Sequence, residues 1–323
     1  MGKIDFVIAW VDGSDPKLRD KRKKFQSDKV VKGSFEETRF ASNDEIYLAI
    51  ASILKYAPYV GTIYIVTDDQ RPVYLDEFYD QGLCEHNQIQ VIDHTTIFKG
   101  YEHYLPTFNS LTIETMLWNI PNLSENFIYL NDDFFLNSAS EVTDFLIDQQ
   151  TKIYGHWVSN KFVQLKFNWR KGLNKYFGKP LQPKYTIAQM LSAVLCGFDH
   201  YYEIHHRPHL LDKMILKTYF QENQKVLTEQ ISYRFRSAFQ FLPVGLNNHL
   251  KIKEKKAILC KDIEIAYLKN ESSIAEFLLN IENSSIKFGC IQSLDQLNCY
   301  QQDQILSALK LKFKGYLPQS VCC

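Results

Sequence analysis

The chain has 323 residues, of which 45% are hydrophobic and 23% charged, the proportions of a folded globular protein and not of a disordered or fibrous one. Lysine plus arginine equals aspartate plus glutamate at 37 each, so no global field draws nucleic acid or an anionic membrane, and any such binding must be local. The 7 cysteines are odd in number and lack CxxC spacing, which argues against a disulfide framework or a zinc site and for a reducing compartment.

The first element is a strand-like run, Ile4 to Val11 (IDFVIAWV), interrupted by Asp5 and closed by Asp12. It is too short and too acidic for a secretory signal. No apolar stretch approaches the roughly 18 residues that span a bilayer. These features predict a cytoplasmic protein, peripheral at most at the inner face of the plasma membrane. Next comes SNDEIYLAIASILKYAP, where Ser42 and Glu45 form a capping-box pattern and Pro58 marks the end. Ile46, Ala49, Ile50, Ile53 and Ala57 recur on one helical face. Further strands are predicted at Thr62 to Val66, Ile89 to Ile92 and Phe127 to Leu130, with helical segments at Tyr74 to Tyr79 and Ser110 to Trp118.

Strands alternating with helices imply a Rossmann-like, largely parallel sheet flanked by helices, because parallel neighbours need crossover connections. After residue 150 the pattern turns to longer, mainly helical segments. We therefore place an α/β core at 1–155 and a mainly helical C-terminal part at 156–323. Two basic runs stand out in this part, His249 to Lys256 and Lys310 to Lys314. Such runs are usually solvated faces, but a basic amphipathic end can also touch anionic lipid.

Ligands of such sheets bind beyond the carboxyl ends of the strands. Here those ends read Asp12-Gly13-Ser14-Asp15, Thr67-Asp68-Asp69-Gln70, Asp93-His94 and Asn131-Asp132-Asp133. Any one is an ordinary turn; four together deliver carboxylates to one edge. The adjacent Asp132 and Asp133 suit Mg2+ or Mn2+, hard cations that bridge a diphosphate. Adjacent residues on an extended segment face opposite ways, so one of the two is expected to ligate directly and the other to orient it. No GxxxxGK[ST], GxGxxG or GxSxG occurs, which disfavours P-loop ATPases, ordinary dinucleotide enzymes and serine hydrolases. In the cluster His205-His206-Arg207-Pro208-His209 each histidine is by default structural, yet a neutral imidazole beside phosphate can take a hydroxyl proton. Arg236, in RFRSAFQF, offers a fork of donors to phosphate oxygens or, alternatively, a structural ion pair.

IDFVIAWVDGSDP, RFASNDEIYLAIASILKYAPYVGTIYIVTDDQRPVYL continuing through FIYLNDDFFL, and HHRPHLLDKM followed by YRFRSAFQF together resemble the signature regions of the Stealth family. A weaker likeness covers KFGCIQSLD and YLPQSV. The family includes bacterial capsular polysaccharide phosphotransferases and the animal phosphotransferase that tags lysosomal enzymes. The resemblance implies an enzyme that moves a sugar-1-phosphate from a UDP-sugar to a glycan or lipid-linked glycan hydroxyl with a divalent ion, releasing UMP. It would make 1–155 the nucleotide-sugar-binding core and 156–323 the part that completes the active site. It implies catalytic roles for His206, Arg236 and Asp12, and metal-binding roles for Asp132 and Asp133. Substrate-binding roles fall on Asp15, Arg39, Asn43, Glu45, Asp68, His94 and Asn131. Ser42 departs from the acidic residue common before the Asn in relatives. Partners would be the donor, the acceptor, and the capsule assembly machinery or inner membrane surface, with no nucleic acid. Two other readings share parts of the pattern: a conventional metal-dependent glycosyltransferase releasing UDP, and a non-catalytic sugar-binding assembly subunit.

Overall fold

The computed structural model describes residues 2–25, 44–292 and 294–322. The β-branched and aromatic runs form strands β1 (Ile4–Ala9), β2 (Val60–Thr67), β3 (Ile89–Asp93) and β4 (Asn126–Asn131). All four are parallel, in the order β3, β2, β1, β4. Ile8 of β1 stands level with Ile65 of β2 on one side and Leu130 of β4 on the other. A fifth strand, His209–Asp212, runs antiparallel along the free edge of β4 with Leu210 opposite Ile128. The sheet of the first half is thus completed by the second.

The period of two along the strands divides the core. Phe6, Ile8, Ile63, Ile65, Ile128 and Leu130 face one layer; Val7, Tyr64, Val66, Phe127 and Tyr129 face the other. The first layer meets helix Glu45–Tyr56, and the second meets helices Ser110–Met116, Lys213–Glu222 and Pro243–Lys253. Helix Glu45–Tyr56 is buried beyond its predicted face, since Tyr47, Leu48 and Ala51 are buried too. Its outer side is covered by Phe277, Ile305, Leu309 and Phe313 from the C-terminal helices. The predicted cap Ser42 lies outside the described residues. Asp44 precedes the helix in the left-handed region (φ 67), which a short polar residue tolerates.

Beyond β4, a two-residue turn at Asp132-Asp133 leads into β5 (Phe134–Leu136), which pairs antiparallel with Phe288–Ile291; that strand in turn pairs with Ala266–Leu268. Gly289 is required there, because a Cβ would lie 2.1 Å from the buried Phe135 ring.

Both basic runs are solvated only in part, with Lys253 to Lys256 and Lys314 exposed as expected and other members turned inward. His249 and Lys251 lie on the buried helix Pro243–Lys253: His249 accepts the Tyr202 amide at Nε2 (3.0 Å), and Lys251 donates to the Leu210 carbonyl (3.0 Å). Burial lowers the Lys251 pKa to about 7. Lys310 and Lys312 end helix Cys299–Lys312, where Lys312 turns inward to the Ile281 carbonyl (2.6 Å) and lies over the Tyr56 ring. Among the described residues no helix is long and apolar enough to cross a membrane.

Candidate active site

The strand order reverses at β1, whose neighbours β2 and β4 continue to opposite sides, and open sheets bind ligands outside the carboxyl ends at that reversal. A cleft of about 620 Å³ opens there, lined by Glu45, Asp68, Asn131, Asp132, Asp133, His206 and Arg236 among others. Seven of the twelve predicted residues therefore share one cavity.

Its floor is acidic. Asp132 and Asp133 occupy the turn after β4, and Glu45 reaches them from the start of its helix. Burial raises the pKa of both aspartates; Asp133 and Glu45 add to the rise at Asp132, and Glu45 to that at Asp133. Asp133 Oδ2 accepts the weak thiol hydrogen bond of Cys290 (3.6 Å), while the buried Oδ1 has no hydrogen-bond partner among the described residues. Carboxylate oxygens are the donor type that a hard divalent cation takes, and the unpartnered Asp133 Oδ1 is an atom that such a cation would satisfy. The chemistry of these residues thus fits magnesium or manganese, although Glu45, Asp132 and Asp133 are not among the side chains whose ligand atoms gather within 4.8 Å of one another.

One wall comes from the C-terminal half. The His206 ring stacks on Tyr185 (centroids 5.1 Å, 21° between planes), with Phe134 at 6.0 Å and Tyr267 at 5.8 Å. Burial, reinforced by His205 and Arg236, lowers its pKa and holds the ring neutral. The turn that presents it is anchored by buried Arg207, which pairs with Asp262 (2.9 Å), donates to the Tyr154 carbonyl and lies over the Tyr154 ring. His209 also lines the cleft, but its Nε2 lies 3.2 Å from the His205 carbonyl, closing the same turn.

Arg236 donates to Ser110 Oγ (2.6 Å). It faces buried Glu114, whose pKa burial raises to about 7 against the opposing effects of Arg236 and the Ser110 and Tyr129 hydroxyls. Buried amides pin the Arg236 loop to the helix below. Asn109 donates to the Tyr233 carbonyl (2.9 Å) and to Gln240 Oε1 (2.8 Å), and Gln240 donates to Thr112 Oγ1 (3.1 Å).

The other predicted residues lie differently. Asp12 and Asp15 sit in the turn after β1, outside the cleft lining. Asp12 Oδ1 accepts from the Ser14 amide (2.8 Å) and hydroxyl (2.6 Å). Asp15 caps the helix Pro16–Phe25 through the Lys17 amide (2.8 Å), and the Gln70 amide braces it at 3.0 Å, lowering its pKa. Asp68 pairs with Lys21 (2.6 Å) at the cleft, and Asn131 accepts the Tyr129 hydroxyl (2.7 Å). His94 is buried outside the cleft lining; among the described residues neither ring nitrogen has a hydrogen-bond partner, and burial depresses its pKa to about 4. Arg39 and Asn43 lie outside the described residues.

Glu114, Tyr185 and the Asn109–Gln240 pair are absent from the sequence prediction. Their signal was polar residues on apolar helical patterns, SLTIETMLW above all. A separate exposed group, His156, His205 and Asp262, has ligand atoms within 4.8 Å of one another and could also hold an ion, although Asp262 is already paired with His205 and Arg207.

Residues 2–29 match Stealth protein conserved region 1, and residues 39–154 match conserved region 2. The chain is 41% identical over 161 residues to the capsular polysaccharide phosphotransferase cps12A of Actinobacillus pleuropneumoniae, covering 49% of this chain and 41% of that protein. It thus spans less than half of that relative. It is 27% identical to the exopolysaccharide phosphotransferase cps2G of Lactiplantibacillus plantarum, over 98% of this chain and 94% of that one. Among solved structures, apo mouse xyloside xylosyltransferase 1 superposes with a TM-score of 0.40 at 10% identity, over 93% of this chain and 99% of the other.

Proposed function

We propose that this chain, whose residues 2–29 and 39–154 match Stealth conserved regions 1 and 2, is a Stealth protein whose cleft transfers a sugar-1-phosphate. The donor is a nucleotide-sugar, a UDP-sugar, and the acceptor is a hydroxyl of a glycan or lipid-linked glycan in capsular or cell-surface polysaccharide synthesis. The observation that carries the reading is the meeting, in one cavity, of the Glu45, Asp132 and Asp133 floor with the His206 and Arg236 wall.

Phosphoryl transfer asks little covalent work of a protein; it asks for positioning and for neutralisation of charge on the phosphate oxygens. His206, neutral in its aromatic surround, accepts the proton of the acceptor hydroxyl as that oxygen bonds to the phosphorus next to the sugar. Arg236 binds two oxygens of the phosphoryl group at once, held in place by Ser110 and Glu114. The bond from that phosphorus to the bridging oxygen breaks, and UMP leaves with the oxygen. Magnesium or manganese, held by Asp132 and Asp133 with Glu45 beside them, would supply positive charge to the diphosphate. Asp68 and Asn131 contact the nucleotide-sugar from the cleft wall. Asp12 takes part in the chemical step from the turn after β1, Asp15 and His94 support the donor from the ends of β1 and β3, and Arg39 and Asn43 bind the donor as the family resemblance implies.

The test is the nucleotide product. Incubation with a panel of nucleotide-sugars, acceptor and metal, followed by chromatography, is expected to yield UMP. UDP as the product would replace this reading with glycosyl transfer.

A further inference from the structure

Helix Asn160–Phe177 (NKFVQLKFNWRKGLNKYF) is apolar on a face that its packing leaves open. Its inner side is set by buried Phe167, which joins Ile187, Met190, Tyr201 and Ala238 in a small core. Phe162, Leu165, Trp169 and Tyr176 are 81%, 69%, 64% and 75% exposed. At 3.6 residues per turn these four point within about 60° of one another, on the side away from Phe167. Scattered exposed hydrophobes need no explanation, but an aligned stripe of large ones does.

The charges on this helix have one sign. Lys161, Lys166, Arg170 and Lys175 flank the stripe, Lys171 lies on the inner side over the Phe167 ring, and no acidic residue interrupts them, in a chain whose charges balance overall. An aromatic and aliphatic face bordered by lysine and arginine is the pattern of a helix lying in a membrane interface, with the basic side chains extending to the headgroups. A second copy of the chain is a poor occupant, since pairing these faces would bring two sets of unopposed positive charges together. The helix also adjoins the cleft. Ala238, packed on Phe167, follows Arg236 and Ser237 in the cleft lining, and the chain leaving the helix reaches Pro183, Lys184 and Tyr185, the last stacked on His206.

We propose that helix Asn160–Phe177 docks this protein on an anionic bilayer, with Phe162, Leu165, Trp169 and Tyr176 among the acyl chains and its lysines and arginine at phosphate headgroups. The cleft is thereby set beside a membrane-carried acceptor. Only that last consequence rests on the proposed transfer; docking is measured without turnover, so the two readings fail separately.

The full chain is sedimented with vesicles of phosphatidylcholine alone and of phosphatidylcholine and phosphatidylglycerol in equal parts. Binding is expected to the second, weakened by salt, with a blue shift of tryptophan emission that Trp169→Phe removes. The pair Leu165→Ser and Trp169→Ser should weaken binding by at least about tenfold, and each lysine removed should weaken it by roughly fivefold. Both replaced side chains are exposed, so the unfolding midpoint should not move, and turnover with a water-soluble acceptor should persist. No sedimentation with phosphatidylglycerol vesicles would overturn the proposal, as would undiminished binding by the double variant. A double variant that binds vesicles normally but changes from dimer to monomer would assign the stripe to self-association instead.

Discussion

The floor and the wall of the cleft are built in opposite ways. The floor takes adjacent residues, Asp132 and Asp133, from the end of one strand and Glu45 from the neighbouring helix, and burial, reinforced by the neighbouring carboxyls, raises the pKa of the aspartates. The wall brings His206 and Arg236 from separate segments that meet only in the folded chain, and burial lowers the pKa of the histidine. A raised carboxyl pKa marks a site that wants positive charge; a lowered imidazole pKa marks a base kept ready. The same burial thus prepares two complementary groups.

Removing the floor should have the largest effect. Asp132→Ala, Asp133→Ala or a chelator is expected to abolish turnover, and added Mg2+ or Mn2+ should restore the chelated enzyme; full activity in metal-free buffer would break the contrast between floor and wall. On the wall, Arg236→Ala should cost about 10³-fold in turnover, in the range known for arginines that neutralise phosphoryl transfer. Arg236→Lys keeps the charge but not the two-pronged geometry and should recover only part of the loss; full recovery by lysine would show that charge alone matters.

The pH profile sharpens the comparison. A base whose pKa is lowered stays deprotonated below the ordinary histidine value, so with saturating metal the acid limb of kcat/KM that His206→Ala removes should fall below pH 6.5, and removal of a limb above 6.5 by that variant would contradict the neutral His206. The smallest effect is expected in the buried strand behind the floor, at a residue outside the cleft lining. Gly289→Ala forces a Cβ against the Phe135 ring and should cost about 1–3 kcal/mol of stability by denaturant unfolding, while the folded fraction keeps its kcat.

The two aspartates of the floor could be read from the sequence because a pair of carboxylates at one strand end is a local pattern, whereas Glu45 reaches them only in the folded chain. Strands β1 to β4 announce themselves by β-branched and aromatic runs, and their polar ends fall where parallel sheets bind ligands. The strand His209–Asp212 could not be read so, since four residues that begin at a histidine carry no clear period. The placement of His206 beside Arg236 depends on Asn109, Gln240 and Arg207, whose partners are distant in sequence. Likewise, the alternation of Lys310 to Lys314 is too short to reveal that Lys312 folds inward over Tyr56, whereas the exposed apolar stripe of Asn160–Phe177 needs solvent exposure to be recognised.

The central claim is that His206 takes the acceptor proton, and the direct measurement is turnover of His206→Ala beside His209→Ala at saturating nucleotide-sugar. The account predicts a roughly 10²- to 10⁴-fold loss of kcat for His206→Ala with donor binding nearly unchanged. His209→Ala, which loses a ring engaged with the His205 carbonyl, should lose activity only as far as it loses folded protein. Wild-type kcat in His206→Ala, with the loss falling on His209→Ala instead, would contradict it.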